Sequence, residues 1–122
     1  MPKRHILVVD DEPLVAETVT LLLEWDGHLV DTVSSGEEAL ALFQPGKFDL
    51  VITDFFMPTM DGGELAAAIK TQAPTQPVVL LTAFAERFRS QRHGLRAIDL
   101  VIDKPLPMDS LRQALSTLVP AQ

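Results

Sequence analysis

The sequence predicts an α/β fold, a parallel sheet of five strands with helices on both faces. Three observations predict it. Four short runs, residues 6–9, 50–52, 78–81 and 100–102, are almost purely apolar and rich in β-branched residues, as expected for strands covered on both faces. Segments with helical spacing separate them. Strand and helix then alternate five times on short connections, which implies right-handed crossovers and a parallel sheet.

The first run ends at Asp10-Asp11-Glu12. Beyond it Val15, Val19 and Leu22 fall at i, i+4 and i+7, a stripe that Gly27 closes. Residues 29–33 are broken by Asp31 and Thr32 and read as a half-exposed edge strand. Ser34 with Glu37 offers a capping box ahead of Ala39, Leu40 and Phe43. The run at 50–52 leads into Thr53-Asp54, and Leu65 and Ile69 share a helical face after Asp61-Gly62-Gly63. The run at 78–81 leads into Thr82-Ala83. The helical pattern behind it is the weakest in the chain, with Phe84 and Phe88 as its large apolar anchors. The last run leads into Asp103-Lys104-Pro105, and Leu111, Leu115 and Leu118 form the final stripe, starting near Asp109 or Ser110.

Length and composition narrow the function. The 122 residues fit one domain, expected over 1–122 with 120–122 as a loose tail. Cysteine is absent, which excludes disulfides, thiolate metal sites and cysteine nucleophiles. A net charge of −7 argues against general nucleic-acid binding. No apolar run approaches the ~18 residues of a membrane span. The basic start, Met1 to His5, precedes too short an apolar stretch for a signal peptide, so a cytoplasmic protein is expected. Arg87, Arg89, Arg92 and Arg96 face only Glu86 between Phe84 and Arg96. That segment is a solvated helix face or, functionally, a docking surface. His5, His28 and His93 have no partner at metal or triad spacing.

In open α/β sheets, ligands bind beyond the carboxyl ends of the strands, where the strand order switches. Polar groups crowd that end of four strands: Asp10 and Asp11, Asp54, Thr82, and Lys104. Any one acidic residue after a strand is ordinarily a solvated turn residue. The set is harder to explain that way, because Asp10, Asp11 and Asp54 repel one another unless counter-charge is present. Lys104 leaves a formal excess of two negative charges, which a divalent cation would balance. Oxygen ligands alone suit Mg²⁺ better than zinc. A carboxylate can also accept a phosphoryl group, while a lysine, a hydroxyl and a backbone N–H hold its oxygens.

Val8-Val9-Asp10-Asp11-Glu12, then Thr53-Asp54-Phe55-Phe56-Met57-Pro58 with Asp61-Gly62, then Leu81-Thr82-Ala83 and Asp103-Lys104-Pro105 resemble, in order and spacing, the receiver domain of two-component response regulators. The resemblance implies a flavodoxin-like (βα)5 three-layer sandwich with strand order 2-1-3-4-5. It implies that Asp54 is the phospho-acceptor, and that Asp11, Asp54 and the Phe56 carbonyl bind Mg²⁺, with Asp10 acting through a water. Lys104, Thr82 and the Ala83 N–H would hold the phosphoryl group. The donor would be the phosphohistidine of a histidine kinase or phosphotransfer protein. The protein would then catalyse only its own phosphorylation and dephosphorylation, and signal by a population shift.

Two features depart from the family or modulate it. An aromatic residue usually stands three positions before the lysine; here it is Val101. Phe56 and Phe84, each two residues past a site residue, are expected to flank the path of the attacking water and affect loss of the phosphoryl group. The competing readings are a phosphorylation-independent interaction module of the same fold and a small Mg²⁺-dependent phosphatase or phosphotransferase. For the latter, the chain leaves little room for a substrate cap.

Overall fold

The structure is a computed structural model that describes residues 3–90, 96–104 and 108–119, the side chains of Arg89 and Ser90 excepted. Arg92, His93, Pro105 and the tail at 120–122 therefore lie outside the described residues. The elements are β1 (His5–Val9), α1 (Pro13–Trp25), β2 (Leu29–Val33), α2 (Gly36–Leu42), β3 (Leu50–Thr53), α3 (Gly62–Gln72), β4 (Val78–Thr82), α4 (Ala85–Ser90), β5 (Leu100–Asp103) and α5 (Met108–Leu118).

All strand pairs are parallel, in the order β2-β1-β3-β4-β5. The three central strands carry the continuous apolar runs because alternate side chains must be buried on opposite faces. Ile6, Val8, Ile52, Val79 and Leu81 face α1 and α5, meeting Val19, Leu23, Leu111 and Leu115. Leu7, Val9, Val51 and Val78 face α2 and α3, meeting Ala39, Phe43, Leu65 and Ile69. Each of these large side chains contributes roughly 1.5–3 kcal/mol by leaving water. β2 is the half-exposed edge its polar interruptions predict. β5 departs from the expectation of cover on both faces: it is the opposite edge, and Leu100 is 38% exposed.

Helix ends largely follow the local chemistry. Pro13 begins α1, and Gly27 takes φ +92° just past its C-terminus, a backbone region that glycine enters without steric cost. The α2 cap is one residue later than the sequence suggests. Ser35, not Ser34, accepts the Glu38 N–H at 3.1 Å, and Glu38 rather than Glu37 reaches back to the Ser34 hydroxyl at 2.6 Å. Either serine could start the helix; in the one that forms, Gly36 is buried beside Met60 and Ala39 against the sheet. Asp61 and Glu64 form a full capping box on α3. No helix among the described residues is long and apolar enough to cross a membrane.

Candidate functional site

The strand order reverses between β1 and β3, so the residues just beyond those strands flank a crevice at the switch point. Backbone hydrogen bonds extend the ladder to hold them there: the Asp10 N–H donates to the Val33 carbonyl at 3.2 Å and the Asp54 N–H to the Val9 carbonyl at 3.0 Å. On the far side, the Lys104 N–H donates to the Thr82 carbonyl at 3.0 Å. Three separate strands thus deliver Asp10, Asp54 and Lys104 to one place.

Their side chains meet. Lys104 Nζ lies 3.1 Å from Asp10 Oδ2, 3.3 Å from Glu12 Oε1 and 3.5 Å from Asp54 Oδ1. One carboxylate oxygen from each of Asp10, Glu12 and Asp54 falls within 4.8 Å of the others. Asp54 Oδ1 also accepts the Phe55 N–H at 2.9 Å; Oδ2 has no hydrogen-bond or ion-pair partner among the described residues. Asp54 is only 5% exposed. Burial, reinforced by Asp10 and opposed by Lys104, pushes its pKa up to about 6. Burial likewise opposes the charge on Lys104, but Asp54 and Asp10, with hydrogen bonds to Asp10 and Glu12, outweigh it and raise the lysine pKa. The site is therefore short of positive charge even with its lysine in place.

The remaining predicted residues sit around this cluster. Asp11 is half-buried, outside the group of converging carboxylates, and makes no ion pair among the described residues. The Phe56 carbonyl accepts no backbone hydrogen bond among the described residues. Thr82 is fully buried, and its Oγ1 accepts the Phe84 N–H at 3.2 Å. A hydroxyl that accepts one hydrogen bond keeps its own proton to donate. Ala83 is exposed beside it. Glu12 is the member that sequence reasoning left without a role. Its place in the Asp10-Asp11-Glu12 run was visible, but its reach to a lysine 92 positions away was not.

The loop after Asp54 is tightly made. The Gly62 N–H donates to the Phe55 carbonyl at 2.9 Å. A Cβ at Gly62 would collide with the Asp54 carbonyl oxygen and lie 3.0 Å from the Phe55 Cα, so only glycine lets α3 approach the acceptor this closely. Phe56 and Phe84, 47% and 52% exposed, meet edge to face with centroids 5.5 Å apart. Phe84 is thus a surface ring rather than a core anchor. Phe88 alone is buried, against Leu80, with Phe55, Ile98 and Val101 around it.

A parallel α/β domain whose switch point joins buried carboxylates to a lysine defines a class, and comparison with known proteins places the chain within it. The family profile of the response regulator receiver domain matches residues 6–116; the chain belongs to this family. It is 36% identical over 111 residues to the transcriptional regulatory protein GlrR of Escherichia coli (strain K12), a match covering 91% of this chain and 25% of that protein. It is 37% identical over 124 residues to the sensor histidine kinase AruS of Pseudomonas aeruginosa, covering 96% of this chain and 12% of the kinase. The chain thus spans about a quarter of GlrR's length and less of the kinase's. Among solved structures, the response regulator protein TrrA of Thermotoga maritima, in complex with Mg²⁺–BeF, superimposes with a TM-score of 0.87 at 37% identity, covering 95% of this chain and 99% of TrrA. The chemotaxis response regulator CheY4 of Vibrio cholerae gives 0.84 at 28% identity, covering 97% and 100%.

Proposed function

We propose that the chain is a phosphorylation-dependent signalling switch in which Asp54 accepts a phosphoryl group from the phosphohistidine of a histidine kinase or phosphotransfer protein. The observation that carries this reading is the convergence of Asp10, Asp54 and Lys104 from three strand ends onto one ammonium. The transfer is balanced: an Asp54 carboxylate oxygen forms a bond to phosphorus as the phosphorus–nitrogen bond to the donor imidazole breaks. Oδ2 is the oxygen for this task, because Oδ1 is tied to the Phe55 amide and Lys104.

Mg²⁺ fits the donor set. The carboxylates are hard oxygen ligands in excess over the one lysine, and burial, which pushes the Asp54 pKa up to about 6, disfavours a charge that a bound cation would stabilise. Asp11, Asp54 and the Phe56 carbonyl would hold the ion, with Asp10 behind a water; bound there, it would neutralise charge on the transferring oxygens. Lys104 would pair with the phosphoryl group. Thr82 would donate its hydroxyl proton to it, and the Ala83 N–H would lie alongside. In this reading residues 1–122 form one receiver domain that catalyses only its own phosphorylation and dephosphorylation and acts in the cytoplasm. Its output contact is assigned to the segment from Phe84 to Arg96 with β5 and α5. Charge reversal at Arg89 and Arg92 is then expected to weaken binding of the downstream partner while Asp54 still takes phosphate from a small donor.

Intact-mass measurement after incubation with acetyl phosphate tests the switch chemistry. A gain of one phosphoryl group that requires both Mg²⁺ and Asp54 is expected. No gain, or a gain that survives Asp54→Ala, refutes the assignment.

A further inference from the structure

Glu12 stands at the N-cap of α1 with an extended backbone (φ −93°, ψ 107°), yet its side chain caps no helix amide. Its Oε1 instead lies 3.3 Å from Lys104 Nζ. The Glu12 N–H donates to Asp10 Oδ1 at 2.9 Å, so the carboxylate that pairs most closely with Lys104 also fixes the backbone of residue 12. Of the three carboxylates around the ammonium, Asp54 is the farthest. The three differ in what a broken contact costs. Asp10 and Asp54 are buried, whereas the Glu12 side chain is 62% exposed and exchanges its lysine contact for water at little cost.

We propose that Glu12 is a positioning residue that tethers the Lys104 ammonium on the β1–α1 side of the site before phosphorylation, and that Lys104 leaves Glu12 as the phosphoryl group transfers to Asp54. The inference rests on Asp54 being the phospho-acceptor. As negative charge gathers on the phosphoryl oxygens, Lys104 is drawn toward Asp54, and the exposed contact is the one given up. An interaction present in the ground state and lost in the transition state slows the step. For an exposed ion pair the size of that effect is about two- to fivefold in rate.

The test compares initial rates of phosphorylation by acetyl phosphate at saturating Mg²⁺, which removes any influence of Glu12 on cation affinity. The chains are wild type, Glu12→Gln and Glu12→Asp, each made with Lys104 intact and again with Lys104→Met. Glu12→Gln is expected to react about two- to fivefold faster. Glu12→Asp, which keeps the charge but withdraws the carboxylate by one methylene, is expected to match Glu12→Gln. Both gains are expected to vanish in the Lys104→Met background. An unchanged or slower Glu12→Gln, a Glu12→Asp that behaves as wild type, or a gain that survives without Lys104 overturns the tether. Failure of the wild type itself to take a phosphoryl group on Asp54 overturns the acceptor reading instead, and that result needs no Glu12 variant.

Discussion

Replacing Asp54 with asparagine separates the demands of chemistry from those of folding. The substitution keeps the shape of the side chain and removes a buried negative charge. The Asp54 pKa is raised from 3.8 to about 6, and for an acid the sign follows directly. Below 3.8 both folded and unfolded chains are protonated and the group contributes nothing. As pH rises through this interval the unfolded chain ionises first, so the native state loses stability until the folded carboxyl ionises too. The rise of about two units corresponds to about 3 kcal/mol at neutral pH. Lys104 keeps Asp10 and Glu12 as partners in the variant but loses Asp54, so the net gain is about 1–3 kcal/mol. Urea unfolding without divalent cation, at about pH 7.5 and about pH 4.5, measures it. Asp54→Asn is expected to be more stable than wild type at the higher pH, with the gain shrinking to about 1 kcal/mol or less at the lower. Added Mg²⁺ is expected to stabilise wild type more than the variant, since ligand bound only to the native state raises stability. An Asp54→Asn chain no more stable than wild type near neutral pH, or a gain that does not change with pH, refutes the reasoning.

Four further outcomes follow from particular contacts. Gly62→Ala forces a Cβ against the backbone of Asp54 and Phe55; a loss of about 1–3 kcal/mol in urea unfolding is expected, with slower phosphorylation. Thr59 holds φ +72° while the Met60 N–H donates to the Pro58 carbonyl at 2.8 Å, a three-residue turn that is strained for a β-branched residue. Thr59→Gly is therefore expected to raise the unfolding midpoint by about 1 kcal/mol in stability. His28 is buried, its Nδ1 accepts the Arg4 N–H at 3.0 Å, and burial lowers its pKa below 6.5. The unfolded chain then protonates first, so stability should fall as pH drops below about 6.5, and His28→Asn should flatten that part of the profile. Phe88→Ala empties the contact with Leu80, Phe55 and Val101, and calorimetry should show a loss of about 3 kcal/mol.

Where side-chain pattern and burial coincide, the sequence was transparent. The runs at 6–9, 50–52 and 78–81 became β1, β3 and β4 because a strand buried on both faces admits little but apolar residues. Asp10, Asp54 and Lys104 were legible because each lies within two residues of the end of an apolar run, and a parallel sheet brings those ends together. The α2 start was blurred because Ser34-Ser35 and Glu37-Glu38 offer two overlapping boxes, and the second is the one that forms. Phe84 and Phe88 looked equivalent at i and i+4, yet Phe84 precedes α4 and stays at the surface, while Phe88 turns inward toward Val101.

Glu12 shows the limit most clearly. Its role depends on distance to a lysine supplied by the opposite half of the sheet, and no local pattern encodes that distance. Its sequence neighbours carry the same charge but are placed differently: Asp10 is buried and accepts the Glu12 N–H, and Asp11 is half-buried, outside the group of converging carboxylates. The backbone bends at Asp11, and the acids on either side of it, Asp10 and Glu12, are the two of the run that reach the Lys104 ammonium. Residue type marked the run as important; backbone geometry divided the labour within it.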